Sequence, residues 1–104
     1  ARNYYFRINT IVQGAKLEKK IYTNFKAICT EKIPREIVFD YVDNKSFEGI
    51  INRKPASKIK IYFLRLDYFQ EQTKTNINKS IATGNFKVLY DDGEYLLISS
   101  KNLL

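Results

Sequence analysis

The stretch over about residues 3–29 constrains the fold most, because apolar side chains alternate on both sides of a candidate turn at Gly14-Ala15. A glycine at the first of two loop residues suits a type II′ turn, whose twist matches that of paired strands. Folding the chain there sets Ile8 opposite Ile21 and keeps one face of the pair mostly apolar. The stretch therefore predicts a long β-hairpin.

A helix over residues 16–29 is the alternative interpretation of the second arm. Four apolar residues recur there at helical spacing, namely Leu17, Ile21, Phe25 and Ile28. The β-branched and aromatic residues of this arm, and the lack of a good N-cap before Ala15, favour the hairpin. A helical arm would instead indicate a βαββαβ sandwich.

The middle of the chain is predicted as short strands joined by turns. Residues 35–42 have high β propensity, although Pro34 also suits the first turn of a helix, and we favour the strand. Residues 43–46 have the composition of a turn. Residues 47–51 predict a further short strand that is interrupted by Gly49.

Residues 58–69 give the strongest prediction of a single strand, because apolar side chains point to both sides of it. A strand covered on both faces belongs near the centre of a sheet. Arg65 and Asp67 share one side of it and are expected near each other at its end. The polar stretch 70–83 predicts an amphipathic helix ended by Gly84, with a mobile loop as the alternative.

The dipeptide Asp92-Gly93 is typical of a two-residue type I′ turn and predicts a second hairpin over about residues 85–99. This turn sets Tyr90 opposite Tyr95. Together, the elements predict a β-rich α+β fold. We expect either a partly open barrel of the OB type or a two-layer sandwich.

The chain of 104 residues is expected to form a single small domain over residues 1–104, with a core that needs neither disulfides nor metal. It contains no apolar run long enough to span a membrane and no apolar region typical of a signal peptide. The lone Cys29 fits a reducing compartment and is expected to be a buried, inert thiol. We therefore expect a cytoplasmic protein without membrane contacts.

The absence of histidine excludes Ser-His-Asp and Cys-His catalysis and His-ligated zinc, and a single cysteine excludes an iron–sulfur site. No phosphate-binding loop motif occurs among the four glycines. The remaining candidates for acid–base or magnesium chemistry are the carboxylates of Asp40, Asp43, Asp91, Asp92 and Glu94. The last three surround a predicted turn, where aspartate is favoured for backbone reasons. We therefore expect a non-enzymatic protein without metal or cofactor.

The polar face of the first hairpin predicts binding of single-stranded nucleic acid. Tyrosines offer stacking surfaces, basic side chains offer phosphate contacts, and asparagines offer hydrogen bonds to base edges. The strand over residues 58–69 extends this surface. The candidate residues are Tyr5, Arg7, Asn9, Lys20, Tyr22, Asn24, Lys26, Lys58, Lys60 and Tyr62. The formal net charge of +7 favours a polyanionic partner, without distinguishing DNA from RNA.

Two other interpretations of this surface stay open. The first is an ordinary solvated sheet face, with the positive charge serving solubility. The second is a protein-interaction module, such as an inhibitor or adaptor carried by a phage or mobile element. The eight tyrosines supply interface anchors, and exposed edge strands can extend the sheet of a protein partner. Lys, Asn and Ile make up about a third of the chain, a bias common in AT-rich genomes.

Overall fold

The computed structural model describes residues 20–30, 37–53 and 59–100. In chain order, the elements are β1 (Lys20–Thr23), a first 3-10 helix (Lys26–Thr30), β2 (Val38–Tyr41), α1 (Asn44–Ile51), β3 (Ile61–Arg65), a second 3-10 helix (Leu66–Tyr68), α2 (Glu71–Ala82), β4 (Phe86–Asp91) and β5 (Tyr95–Ser100).

The described strands form one mixed sheet in the order β2-β1-β3-β5-β4. β1 pairs in parallel with β2 and β3, whereas β5 pairs antiparallel with β3 and β4. β3 is central, and its residues 61–64 are all buried, which confirms a central strand within the predicted span 58–69. The strand ends at Arg65, and the second 3-10 helix replaces its predicted continuation. The β-rich α+β fold is also confirmed. The sheet is not closed into a barrel, because β2 and β4 form its two edges among the described strands.

The pairing of β1 corrects the predicted first hairpin. Ile21 lies beside Phe39 of β2 on one side and beside Ile61 of β3 on the other. A strand has only two hydrogen-bonding edges, so Ile21 cannot also pair with Ile8 as the hairpin requires. The first arm of that hairpin lies outside the described residues.

From Lys20 onward, where the structure describes it, the second arm is neither one long strand nor an α-helix. It is extended over β1 and then continues into the first 3-10 helix. The backbone N–H of Phe25 donates to the hydroxyl of Thr23 at 3.0 Å. This local hydrogen bond turns the chain directly after the strand. β2, by contrast, confirms the strand that we favour for residues 35–42.

α1 replaces the predicted turn over residues 43–46 and the predicted strand over residues 47–51. The carboxylate of Asp43 accepts a hydrogen bond from the backbone N–H of Ser46 at 2.7 Å and so caps the helix. Phe47 and Ile51 lie four residues apart and are both buried on one side of the helix. The cap and this spacing outweigh the local β propensity.

α2 confirms the predicted helix and its termination at Gly84. The glycine has φ +84°, and its backbone N–H donates to the carbonyl of Ile81 at 3.0 Å. The N–H of Asn85 donates to the carbonyl of Ser80 at 2.9 Å. A left-handed residue with these hydrogen bonds is a typical helix C-terminus. Ile77 is buried and anchors α2 on the sheet.

The second hairpin is confirmed as an element, but its register differs from the prediction. Tyr90 lies beside Leu97, whereas the predicted turn sets it opposite Tyr95. The register also shifts between Val88 and Tyr90, which indicates a β-bulge on β4.

The register differs because the turn is centred one residue later, on Gly93-Glu94. The backbone N–H of Asp92 donates to the carbonyl of Tyr95 at 3.2 Å and closes a two-residue loop. The carboxylate of Asp92 accepts from the N–H groups of Glu94 and Tyr95 at 2.9 and 2.7 Å. Asp92 therefore precedes the loop as a side-chain cap, and Gly93 supplies the positive φ of +87°.

The core occupies both faces of the sheet. On one face, α1 and α2 cover the side chains of the central strands. The buried residues there are Phe47, Ile51, Tyr62, Leu64, Phe69, Ile77, Phe86, Leu96 and Ile98. On the opposite face, the first 3-10 helix packs on a second cluster, made of Ile21, Ile28, Phe39, Ile61, Phe63, Tyr95 and Leu97. Neither helix of the described ranges combines the length and the apolar character that a membrane crossing requires.

Candidate nucleic-acid interface

Tyr22 of β1 lies beside two lysine ammonium groups. Lys20 shares its side of the strand, because alternate residues of a strand point the same way. Lys60 directly precedes β3, the neighbouring strand. The Nζ atoms of Lys20 and Lys60 lie 5.4 and 5.6 Å from the centre of the Tyr22 ring, within the range of cation–π attraction. We call these three residues the Tyr22 surface.

A buried aromatic cluster supports the Tyr22 ring from below. Tyr22 is half-buried, and its ring centre lies 5.6 Å from that of Tyr62, its partner in the β1–β3 register. Tyr62 contacts Phe47 and Phe86 edge-on, at 5.4 and 6.0 Å between ring centres. Burial raises the pKa of Tyr62 to about 12, so its phenol stays neutral. These contacts restrict the orientation of the Tyr22 ring, because one side of it packs on the buried cluster.

Asp40 of β2 forms an ion pair with one of the two lysines. Its carboxylate lies 2.8 Å from the ammonium of Lys20, and both side chains are about half exposed. The hydrogen bond and the negative charge of Asp40 raise the pKa of Lys20. Lys60 has no ion pair with any described residue. The two lysines of the Tyr22 surface therefore differ in their availability to an anion.

Asn24 is predicted to read base edges, but it lies buried inside the protein. Its side-chain amide donates to the backbone carbonyl of Arg65 at 3.1 Å and to the side chain of Asn44 at 3.2 Å. Its side-chain oxygen accepts from the backbone N–H of Arg65 at 2.8 Å. Both amide hydrogens are thus used internally, and the geometry gives Asn24 a structural role.

Lys26 lies away from the Tyr22 surface. Its ammonium is 5.6 Å from the ring centre of Tyr41, on the edge strand β2. Tyr41 pairs in register with Thr23 and so faces the side of the sheet opposite to Tyr22. The other predicted contacts lie outside the described residues, namely Tyr5, Arg7, Asn9 and Lys58. The structure thus joins Lys20, Tyr22 and Lys60 of the predicted set, whereas Tyr62 is buried against Tyr22 and belongs to the core.

An arginine at the end of β3 forms a second cation–aromatic cluster that the sequence analysis did not identify. The guanidinium of Arg65 lies 4.8, 5.3 and 5.9 Å from the ring centres of Tyr68, Phe25 and Tyr95. Its Nε donates to the carboxylate of Asp67 at 2.9 Å, which confirms their predicted proximity. These rings come from three separate segments, so no local pattern indicates their meeting. The internal partners of Arg65 indicate that it stabilises this end of the sheet.

The candidate carboxylates are occupied by structural contacts. Asp43 caps α1, and hydrogen bonds from backbone N–H groups lower its pKa. Asp92 caps the hairpin loop, and Asp40 pairs with Lys20. Among the described residues, no group of three or more acidic or cysteine side chains is arranged to hold a metal ion. Cys29 is partly buried, which raises its pKa and so disfavours the reactive thiolate.

The positive charge of the protein is unevenly divided along the sequence. The described residues carry almost equal numbers of basic and acidic side chains, so most of the net charge of +7 belongs to other parts of the sequence. The electrostatic attraction of the described part for a polyanion is therefore local to individual clusters such as the Tyr22 surface.

Comparisons of the chain with models of protein families, with curated proteins and with solved structures give no match in any of the three.

Proposed function

We propose that the protein is a non-enzymatic binding protein that contacts single-stranded nucleic acid through the Tyr22 surface. The observation that carries this proposal is the half-buried ring of Tyr22, which lies within 5.6 Å of two ammonium groups and is supported by Tyr62. An aromatic ring with adjacent cations suits a nucleobase that stacks on the ring while its phosphates contact the lysines.

Single strands suit this site better than a duplex. A base must be free of its neighbours to stack on a protein ring, and the bases of a duplex are already stacked on each other. Stacking on an aromatic side chain contributes about 1–3 kcal/mol per base and tolerates every base. We therefore expect modest affinity with little sequence preference.

The test is fluorescence anisotropy with a labelled single-stranded oligonucleotide and with its duplex, each over a salt series. We expect single-strand binding that weakens steeply as salt increases, because bound phosphates release counterions. Absence of binding at low salt would refute the proposal.

The lone Cys29 supports a cytoplasmic location, in which such a ligand is present.

Two variants localise the binding. Tyr22→Leu keeps an apolar side chain but removes the stacking ring, and Lys60→Gln removes one ammonium. Lys87→Gln is the matched control, because Lys87 is exposed on the edge strand β4, at the opposite end of the sheet from β1. The proposal requires that the first two variants bind the oligonucleotide more weakly. The control should lose only the small part of the affinity that one exposed positive charge contributes.

A protein-interaction module is the second candidate function. It is favoured by two exposed side chains on the edge strand β2, Val38 and Tyr41, of which 56% and 48% are accessible. An edge strand of this kind can pair with a strand of a protein partner. Such binding would depend weakly on salt and would be lost in Val38→Lys, whereas nucleic-acid binding would survive this change.

A further inference from the structure

We infer that Asp40 competes with nucleic-acid phosphate for Lys20 and thereby limits the affinity of the Tyr22 surface. This inference rests on the proposed function. Its structural basis is the 2.8 Å contact between the carboxylate of Asp40 and the ammonium of Lys20. A carboxylate and a phosphate oxygen use the same donors of an ammonium group, so the two anions exclude each other at close range.

The geometry makes the competition reversible. The side chains of Lys20 and Asp40 are 47% and 45% exposed, so water screens their attraction and an incoming phosphate can reach the pair. Exposed ion pairs of this kind are weak, with median contributions of about 0–1 kcal/mol. A phosphate can therefore displace Asp40, but the displaced carboxylate stays near the site and repels it.

The asymmetry between the two lysines assigns them different roles. Lys60 has no described carboxylate to displace and contacts phosphate first. Lys20 contributes only after its pair with Asp40 has opened. Removal of Lys60 should therefore weaken binding more than removal of Lys20, although both ammonium groups lie at similar distances from Tyr22.

The experiment compares Asp40→Asn with the unchanged protein in the oligonucleotide titration. Asparagine keeps the shape of the side chain and removes its charge. We expect binding to tighten roughly two- to tenfold and the salt dependence to become steeper, since one more phosphate contact is made. In a Lys20→Gln background, Asp40→Asn should have a much smaller effect, because the competing pair is already absent.

Glu71→Gln is the matched control. Glu71 pairs with Lys74 at 2.7 Å on α2, so this change also removes one negative charge and opens one exposed ion pair. It should alter affinity only by the small effect of net charge. Thermal unfolding of each variant excludes a folding effect on binding.

The outcomes separate the inference from the proposed function. If the unchanged protein binds and Asp40→Asn matches Glu71→Gln, the inference is overturned while the proposed function stands. If neither the unchanged protein nor Asp40→Asn binds at low salt, the proposed function fails and the inference fails with it. If the unchanged protein binds and Asp40→Asn binds more tightly, and this gain disappears when Lys20→Gln is added, both the inference and the proposed function are supported.

Discussion

The side chain of Asn24 forms two hydrogen bonds with the backbone of Arg65. Its oxygen accepts from the Arg65 N–H at 2.8 Å, and its amide donates to the Arg65 carbonyl at 3.1 Å. This double exchange resembles that of a hydrogen-bonded residue pair in an antiparallel sheet. Asn24 thus joins the ends of β1 and β3 beyond the last strand residue of β1, Thr23.

Asn24→Ala should reduce the free energy of unfolding by about 2–4 kcal/mol. The change leaves the N–H and the carbonyl of Arg65 without their partner, and each unsatisfied buried group costs about 1–3 kcal/mol. Urea denaturation measures the loss. Asn78→Ala, at an exposed position of α2, is the control and should stay within about 0.5 kcal/mol. An equally small effect at Asn24 would contradict the buried bridge.

Tyr62 should make the protein less stable at alkaline pH. Its pKa is about 12 in the folded protein and about 10 in the unfolded chain, so the folded state retains the proton longer. The stabilisation is complete below pH 10 and is lost as the pH rises through about 12, by about 2–3 kcal/mol in total. Urea midpoints from pH 8 to pH 12 should decline less in Tyr62→Phe. Tyr41→Phe, at an exposed tyrosine, is the control. If the urea midpoint of Tyr62→Phe declines as much as that of the unchanged protein, the raised pKa of Tyr62 is contradicted.

The carboxylate of Asp92 should stabilise the second hairpin. Burial opposes its ionisation, but hydrogen bonds from the Tyr90 hydroxyl and from the Tyr95 and Glu94 N–H groups outweigh this and lower its pKa. Its contribution is therefore present above the unfolded pKa and is lost as the pH falls through the lower folded pKa. At neutral pH, Asp92→Ala should cost about 1–2 kcal/mol in urea denaturation. Asp92→Asn, which keeps one acceptor oxygen, should cost less, and equal losses would contradict the cap.

Two glycine substitutions should have effects of opposite sign. Gly84 has φ +84°, and an added Cβ meets no atom of the described residues within 4 Å, so we expect Gly84→Ala to add only backbone strain of about 1 kcal/mol. Gly49 lies inside α1, where an added Cβ reaches, among the described residues, only the Arg53 guanidinium, at 4.0 Å. Gly49→Ala should therefore stabilise the protein by about 0.5–1 kcal/mol. Thermal unfolding of both variants checks the signs, and stabilisation by Gly84→Ala would refute the left-handed terminus.

The elements that sequence reasoning predicts correctly carry local signals. Gly84 marks the end of α2, and the apolar residues of β3 alternate on both sides of a short segment. α1 is different, because Gly49 disfavours a helix and the β-branched Ile50 and Ile51 favour a strand locally. Its helical state depends on the cap at Asp43 and on burial of Phe47 against the sheet, which only the folded structure provides.

The candidate site shows the same division between local and distant information. Residue types and spacing place Lys20 and Tyr22 on one side of a strand. Their meeting with Lys60 depends on the parallel pairing of β1 with β3, which the periodicity of neither strand encodes. The residue type of Asn24 suits both a base contact and a backbone bridge, and only its burial distinguishes the two.

The position of β1 between β2 and β3 has a consequence for the newly synthesised chain. β1 leaves the ribosome before either of its native partners, since residues 38–41 and 61–63 are translated later. At about 5–20 residues per second, it waits for several seconds with Ile21 unprotected. Translation arrest before residue 61 would leave one edge of β1 without its native partner. Nascent chains stalled there should bind molecular chaperones more strongly than chains that extend beyond β5.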